Sequence, residues 1–387
     1  MTSLAARALA RPSFAAAFEA PAFVRAMLSF ESALAHAEAE EGAIPLAHAQ
    51  AIAAACATIV IDIESLLAQG KRSASLAVPL VAMLREETAR RSKDAAVHVH
   101  LAATSQDVLD TATALCLKAC LEEADRTLEA GVRALARKAV RHRGTPMLGR
   151  TLMQPAVPIT AGLKIARWAA ALADDAERIA EAQSVALAVQ LGGPVGALEA
   201  LGAKGPAIRH RLAMRLGLAD APAWHVHRNA WIDLLDRIGM LVLTAGKIAR
   251  DLSLASQPEV GEMLEAPASE GAGASSSMPH KRNPAACARA LAASTRMPGL
   301  LASVHAASVS EHERALGGWQ AELALVPDIA AALGTSLDFV ETIAASLVID
   351  ASRMARNLEL YGTGAGFDPG AFAPAFDETM SRLAKYE

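Results

Sequence analysis

Residues 275–284 read Ser275-Ser276-Ser277-Met278-Pro279-His280-Lys281-Arg282-Asn283-Pro284, with Gly271 and Gly273 shortly before them. The glycines make the backbone permissive. Three hydroxyls, a primary amine and an amide on one short segment offer donors and a cation together. That set suits an anionic substrate and an enolate-like intermediate whose negative charge grows during reaction. Composition alone reads such a stretch more often as a Ser/Gly-rich surface loop, so the order of its residues has to decide.

Other residue groups have weaker claims. His98-Val99-His100 and His225-Val226-His227 have the spacing of a two-histidine chelate. Neither has a cysteine or carboxylate cluster at a ligand spacing, so no metal is expected, and the pairs read as structural or substrate-facing. Cys116 and Cys120 share a helix face and read as small buried apolar residues. The run Gly192-Gly193-Pro194-Val195-Gly196 is not a dinucleotide fingerprint and follows no clear strand. Trp168, Trp224, Trp231 and Trp319 are too dispersed for a stacking surface and read as core or interface.

The elements that must hold these residues are helices. Hydrophobic residues make up 53% of the 387, yet aromatics only 4%, so alanine and the aliphatics carry the apolar share. Alanine is the best helix former, and a β-sandwich or barrel would want more aromatic and β-branched residues. Residues 23–41 have Met27, Phe30, Leu34 and Ala37 spaced for one helix face, with Gly42 and Pro45 as stops. Helical stretches are also predicted over 47–69, 76–91, 107–138, 158–189, 224–256, 285–310 and 323–347, and again around 377–385. Loops are predicted over 144–158, 192–206 and 259–284. The last is long enough for a functional role. Helices of this length need a bundle, with sides left for other helices or other chains.

Charge and cysteine usage narrow the class. Lysine and arginine number 37 against 41 acidic residues, a net charge of −4, which gives no case for nucleic acid or anionic membranes. The apolar run 51–61 contains Cys56 and Thr58, ends at Asp62, and is too short for a membrane span. The four cysteines form no C-x-x-C pair and no disulfide framework, which fits a reducing cytoplasm. Arg7 and Arg11 faintly suggest a leader, but the segment has no continuous apolar stretch, and residues from Phe14 onward read as structure.

The 275–284 segment closely resembles the G-S-S-x-M-P-x-K-x-N-P signature of the fumarase/aspartase superfamily, with Ala274 in place of the first glycine. Two further blocks follow the same resemblance in the same order. His100-Leu101-Ala102-Ala103-Thr104-Ser105-Gln106-Asp107 is similar to H-x-G-x-T-S-x-D, and Gly149-Arg150-Thr151-Leu152-Met153-Gln154 to G-R-T-H-x-Q. Within the superfamily the chain most resembles the 3-carboxy-cis,cis-muconate cycloisomerase branch. Residues 30–39, which begin Phe30-Glu31, carry that likeness, with residues 190–202, Trp224-His225, and Glu311-His312-Glu313-Arg314 followed by Trp319.

The resemblance implies an all-α fold with a small N-terminal helical domain (1–104), a central long-helix bundle (105–346) and a shortened C-terminal segment (347–387). It implies a homotetramer around a twenty-helix core, with each active site shared between subunits. Ser275, Lys281 and His100 would be catalytic: Ser275 for proton transfer next to a carboxylate, Lys281 for the charge that develops there. Thr104, Ser105, Gln154, Ser276, Met278 and Asn283 would bind a small tricarboxylate, without cofactor or metal. The expected reaction is cycloisomerisation of 3-carboxy-cis,cis-muconate to 4-carboxymuconolactone in protocatechuate catabolism. The rivals are another lyase of the superfamily, such as one acting on adenylosuccinate, and a helical homologue without turnover.

One departure discriminates among them. Leu152 stands where the superfamily has a histidine that acts as, or assists, a general acid. Hydroxide and amine leaving groups profit from such an acid. A carboxylate, with an ordinary pKa of about 4, leaves a lactone without it. Leu152 therefore weakens the hydratase and amine-lyase readings and leaves the cycloisomerase reading intact.

Overall fold

Helix-compatible stretches dominate the sequence, and the computed structural model, which describes residues 4–266, 271–278, 280–362, 364 and 366–386, is predominantly helical. Two short helices, α1 (Leu4–Leu9) and α2 (Pro12–Ala17), precede α3 (Ala20–Glu40). The predicted α3 face is the one that packs: Met27, Phe30, Leu34 and Ala37 are all buried. Next come α4 (Leu46–Thr58), α5 (Ile63–Ser73), α6 (Ala77–Ala89) and the single turn α7 (Lys93–Ala96).

The expected single helix over 47–69 is thus two helices, meeting at 115°. The β-branched run Ile59-Val60-Ile61 disfavours helix continuation. Asp62 then restarts it, its carboxylate accepting the Glu64 and Ser65 N–H groups at 3.1 and 3.2 Å.

Four long helices dominate the remainder: α8 (Ser105–Arg141), α9 (Ala161–Ala186) after a hairpin, and, beyond the shorter α10 (Gly205–Leu216), α11 (Asn229–Ala255) and α12 (Ala285–Ala307). A fifth, α13 (Gly318–Ser346), leads to α14 (Ala351–Leu360) and α15 (Ala373–Ser381). α8 packs on α9 and α13, and α12 lies between α11 and α13.

The apolar interior follows the antiparallel run of these helices as two clusters. One gathers α3, α4, α6 and α10 with the first half of α8, the last turns of α9, and the first halves of α11 and α13. The other gathers the second halves of α8, α11 and α13 with the starts of α9 and α12, plus α14 and α15. α13 is long and apolar enough to cross a membrane by composition, but 61% of its most apolar stretch is buried among neighbouring helices. That is the character of a bundle's core helix.

The 144–158 region, expected as loop, is a hairpin of β1 (Pro146–Thr151) and β2 (Gln154–Thr160). Gly149 sits at its bulge, where a Cβ would lie 2.3 Å from the Val157 carbonyl oxygen. The helix expected from 158 begins only at Ala161, because Thr160 caps it by accepting the Leu163 N–H at 3.1 Å. A second small pairing joins β3 (Met263–Glu265) to β4 (Leu347–Ile349).

A buried acid in α3 contributes to the pH dependence of stability. Both Glu38 carboxyl oxygens are buried without a hydrogen-bond partner. Burial pushes this carboxyl up to about 9, and the Glu31 charge adds to the effect. Its folded pKa lies above the ordinary 4.5, so its contribution is full below that value and is lost as pH rises towards about 9. Glu38→Met removes two unsatisfied oxygens and this titration. It should raise the melting temperature at pH 8 by more than it does at pH 5, as read by thermal unfolding at both values. An equal effect at the two pH values would show that Glu38 is not held neutral in the folded protein.

Candidate active site

The three sequence blocks fold in different ways, and one protomer holds them at different ends of the bundle. The first block turns into α8. His100 and Ala102 have φ of +63° and +56°. Ala102 therefore occupies the left-handed region where the block's pattern has glycine, at a cost typical of a Cβ there. Thr104 is the N-cap: its backbone N–H donates to Asp107 Oδ2 at 2.8 Å and its hydroxyl at 3.1 Å.

Asp107 is fully buried and gathers the loop that faces it. Its Oδ1 accepts from Gln190 Nε2 at 2.8 Å and Gly192 N at 3.0 Å, and its Oδ2 also accepts from Gly193 N at 3.2 Å. Burial pushes the carboxyl upward, and these donors pull the other way. All five groups around it can donate, an arrangement that suits an ionised carboxylate. Gln190 passes the network on, its Oε1 accepting the Trp224 N–H at 2.7 Å.

Around this hub, Gln106 donates to the His225 carbonyl at 3.0 Å and accepts from Arg314 Nη1 at 2.8 Å. His225 Nε2 donates to the Glu313 carbonyl at 2.8 Å, and burial keeps its pKa below the ordinary value. Arg228 is buried between Asp110 (2.9 and 3.2 Å) and Glu322 (2.9 and 2.5 Å), and lies 4.7 Å over the Trp224 ring. The resemblance segments at 190–202, 224–225 and 311–314 thus converge with the first block at one end of α8. His98 stacks on His48 at 5.1 Å while His100 bonds Glu31, so that pair does not act as a chelate. The described residues include no group of three or more metal-ligating side chains.

The second block lies beyond the other end of α8. Leu152 and Met153 form the two-residue turn of the hairpin, both at positive φ (50° and 64°). Leu152 is 96% exposed at the tip, and Gln154 beside it is exposed as well. The hairpin's stem is pinned by Arg150, whose Nη1 and Nη2 donate to the buried Glu262 at 2.6 and 2.8 Å. Asn357 Nδ2 supports the same carboxylate at 2.8 Å.

The third block is tied to this same end. Glu265 accepts the Ala286 and Cys287 N–H groups at the start of α12, both at 3.0 Å, and Ala266 N donates to Ser346 O at the end of α13. The segment closes on itself through an Ala274–Arg282 bridge and an Asn283 N to Gly273 O bond of 2.7 Å. Gly273 has φ of +67°, and a Cβ there would meet the Asn283 carbonyl oxygen at 2.3 Å. Ala274 has no positive φ, which is why it can stand in for the signature's first glycine.

Within the segment, Ser275 Oγ accepts N–H bonds from Ser277 and Met278 at 3.4 and 3.2 Å. Two backbone donors on one hydroxyl oxygen stabilise its anion. Ser275 and Asn283 are half-buried, while Ser276, Met278 and Lys281 are exposed. Pro279 and residues 267–270 lie outside the described residues.

Helix length keeps these groups apart. α8 has 37 residues, and at 1.5 Å per residue it runs about 55 Å between the first block and the hairpin. α13, 29 residues from the Arg314 side to Ser346, separates the first and third blocks by about 43 Å. One protomer therefore gathers His100, Thr104 and Ser105 at one end. Gln154 and Ser275, Ser276, Met278, Lys281 and Asn283 belong to the other. Sequence reasoning missed Glu31, Asp107 and Glu262 as organising groups. Glu31 and Asp107 stand in segments that carry the resemblance, but partners of the three groups lie 69, 83 and 112 residues away, beyond the reach of a local pattern.

Residues 7–299 match the lyase family. The chain is 42% identical over 361 residues to a 3-carboxy-cis,cis-muconate cycloisomerase of Bradyrhizobium diazoefficiens, covering 93% of this chain and 80% of that protein. It is 38% identical to one of Pseudomonas putida, covering 90% and 84%. The solved structure of a 3-carboxy-cis,cis-muconate lactonizing enzyme from Pseudomonas putida superposes with a TM-score of 0.86 at 34% identity, covering 99% of this chain and 88% of that one.

The Asp107 hub yields a direct test. An Asp107→Asn amide can keep acceptor geometry for one side of the network only. Each donor left facing its NH2 group costs about 1–3 kcal/mol. Urea unfolding should show a loss of at least that size, with an amide-exchange increase confined first to residues 190–196. A change under about 0.5 kcal/mol would remove Asp107 as the hub.

Proposed function

The chain belongs to the lyase family, and we propose that it converts 3-carboxy-cis,cis-muconate to 4-carboxymuconolactone without a cofactor. Identity to cycloisomerases over nine-tenths of its length supports this substrate. The observation that carries the chemistry is the Ser275 hydroxyl held under two backbone N–H groups in a segment that also bears Lys281 and Asn283.

In the lactonising direction a substrate carboxylate oxygen attacks the diene. The C–O bond forms as π electrons move onto a neighbouring carboxyl group, giving an aci-carboxylate. Lys281 and Asn283 balance that charge, which is greatest after bond formation, so their interaction favours the transition state over the substrate. Ser275 then delivers a proton to carbon, and the two N–H groups stabilise the alkoxide it leaves. A trianionic substrate and one proton give a dianionic lactone. His100, Thr104, Ser105, Gln154, Ser276 and Met278 hold the remaining carboxylates and the carbon skeleton. The reverse reaction expels a carboxylate, which needs no acid at position 152.

The site needs other copies of the chain. Its blocks lie tens of ångströms apart in one protomer, and the third block is largely exposed there. A homotetramer with a twenty-helix core, each site drawing on three chains, brings the two ends of different protomers together. The three units are 1–104, 105–346 and 347–387, with α8 starting at Ser105 and α13 ending at Ser346. Free cysteines, three of them buried, suit the cytoplasm.

The reaction is testable by ultraviolet absorbance, because lactonisation removes the conjugated diene. Loss of diene absorption with purified protein is expected, and Lys281→Met should lower turnover by about a hundredfold to a thousandfold. Unchanged absorbance with carboxymuconate, together with turnover of a succinyl-nitrogen substrate such as adenylosuccinate, would sink the assignment. Site sharing has its own test. His100→Ala and Ser275→Ala protomers, each inactive, should regain partial activity when refolded together. Verified mixed oligomers without any recovery would place the blocks in one chain's site.

A further inference from the structure

The motif Phe30-Glu31 was singled out by the sequence, and the reaction described above gives Glu31 no part. Glu31 is nevertheless buried in α3, at 1% exposure, and its Oε1 lies 2.6 Å from His100 Nδ1. Its second oxygen is buried with no partner. A buried carboxylate can only accept at this distance, so Nδ1 carries the proton. The two ring nitrogens face opposite ways. Nε2 has no partner among the described residues, and the side chain is 13% exposed. His100 itself has a φ of +63°, in the left-handed region that non-glycine residues adopt at a cost.

We propose that Glu31 is a positioning residue for the cycloisomerisation: it fixes the His100 ring with Nδ1–H turned into the N-terminal domain and Nε2 presented to a substrate carboxylate. This rests on the functional reading given above and names the group that prepares its histidine. Free histidine in water favours the opposite tautomer, with the proton on Nε2, which would offer a carboxylate a donor without help. The buried carboxylate changes what the ring must do. With Nδ1–H committed, Nε2 can donate to a carboxylate only when the ring is an imidazolium, so substrate binding and His100 protonation are coupled.

The surroundings favour that charge. Burial works against it, but the Glu31 charge and hydrogen bond, with the charge of Asp107 on α8, carry His100 above the ordinary imidazole value. Arg85 on α6, which donates to the Val99 carbonyl at 3.2 Å, opposes it. Glu38 on α3 and Cys56 on α4 interact electrostatically with Glu31 itself; burial first, then the Glu31 charge, raises the pKa of each. A purely structural Glu31 would leave the tautomer and titration of one histidine without consequence for substrate binding.

The test uses the full-length protein with 15N-labelled histidine, His100 being assigned by the signal lost in His100→Gln. In the ligand-free protein above its pKa, His100 should be the Nδ1–H tautomer. Its titration should move to lower pH in Glu31→Gln and return part of the way in Glu31→Asp. In the diene assay, Glu31→Gln should raise KM for carboxymuconate at pH 8 by about tenfold, the scale of one pKa unit. Turnover at saturation should change less, and the alkaline limb of kcat/KM should shift to lower pH. An Nε2–H tautomer in the wild-type protein overturns the proposal even if no variant folds. So does an unchanged pH profile in a folded Glu31→Gln. Wild-type protein that shows the Nδ1–H tautomer but has no cycloisomerase activity would refute the functional reading and leave the Glu31–His100 geometry standing.

Discussion

A 37-residue helix cannot be folded back on itself, and the length of α8 governs how this chain can do chemistry. The first block caps its N-terminus, and the hairpin follows its C-terminus. A substrate the size of a seven-carbon tricarboxylate spans only a small part of the roughly 55 Å between them. The alanine-rich sequence that makes such helices possible also fits their use. Small side chains let helices approach closely and leave apolar sides for other helices, within the chain or beyond it.

The two ends are built on different principles. At the Asp107 end the groups around α8 are buried and tied together: a carboxylate under five donors, an arginine between two acids, a histidine fixed by a backbone carbonyl. A network of that kind is costly when incomplete, so it holds one geometry. At the hairpin end the pinned parts are the stems. Arg150 and Glu262 fix the hairpin's base, and Glu265 fixes the start of α12, while Leu152, Lys281 and Met278 stand out in solvent. A rigid half and a projecting half are consistent with the proposed site, completed by assembly.

Much of this was legible in the sequence for physical reasons. The α3 face could be read because its spacing follows the helical period, and the signature segment because its residue order is rare. The hairpin escaped because its strands are short and contain Pro146, Pro155 and Pro158, which read as loop, and because its turn uses Leu152-Met153 where Asn-Gly would have announced it. The break after α4 escaped because Ile59-Val60-Ile61 continues the apolar run, and only the cap at Asp62 marks the new start. Contacts between distant residues, Glu31 with His100 and Arg150 with Glu262, have no local signature at all.

The position of Leu152 connects the hairpin to the reaction. A turn with two positive φ values penalises branched and bulky residues, so leucine there is not a choice the backbone favours. The proposed chemistry tolerates it, since a departing carboxylate is stable without a proton. An acid at that position would serve no bond-breaking step, and its removal leaves the charge on the substrate to be met elsewhere. In the proposed reaction the Lys281 segment meets the charge that develops in the transition state. His100, with Glu31 behind it at 2.6 Å, is the group proposed to meet the carboxylate charge already present in the substrate. On that proposal cationic contact takes the place of proton donation, and a lyase scaffold can run a ring closure with leucine at position 152.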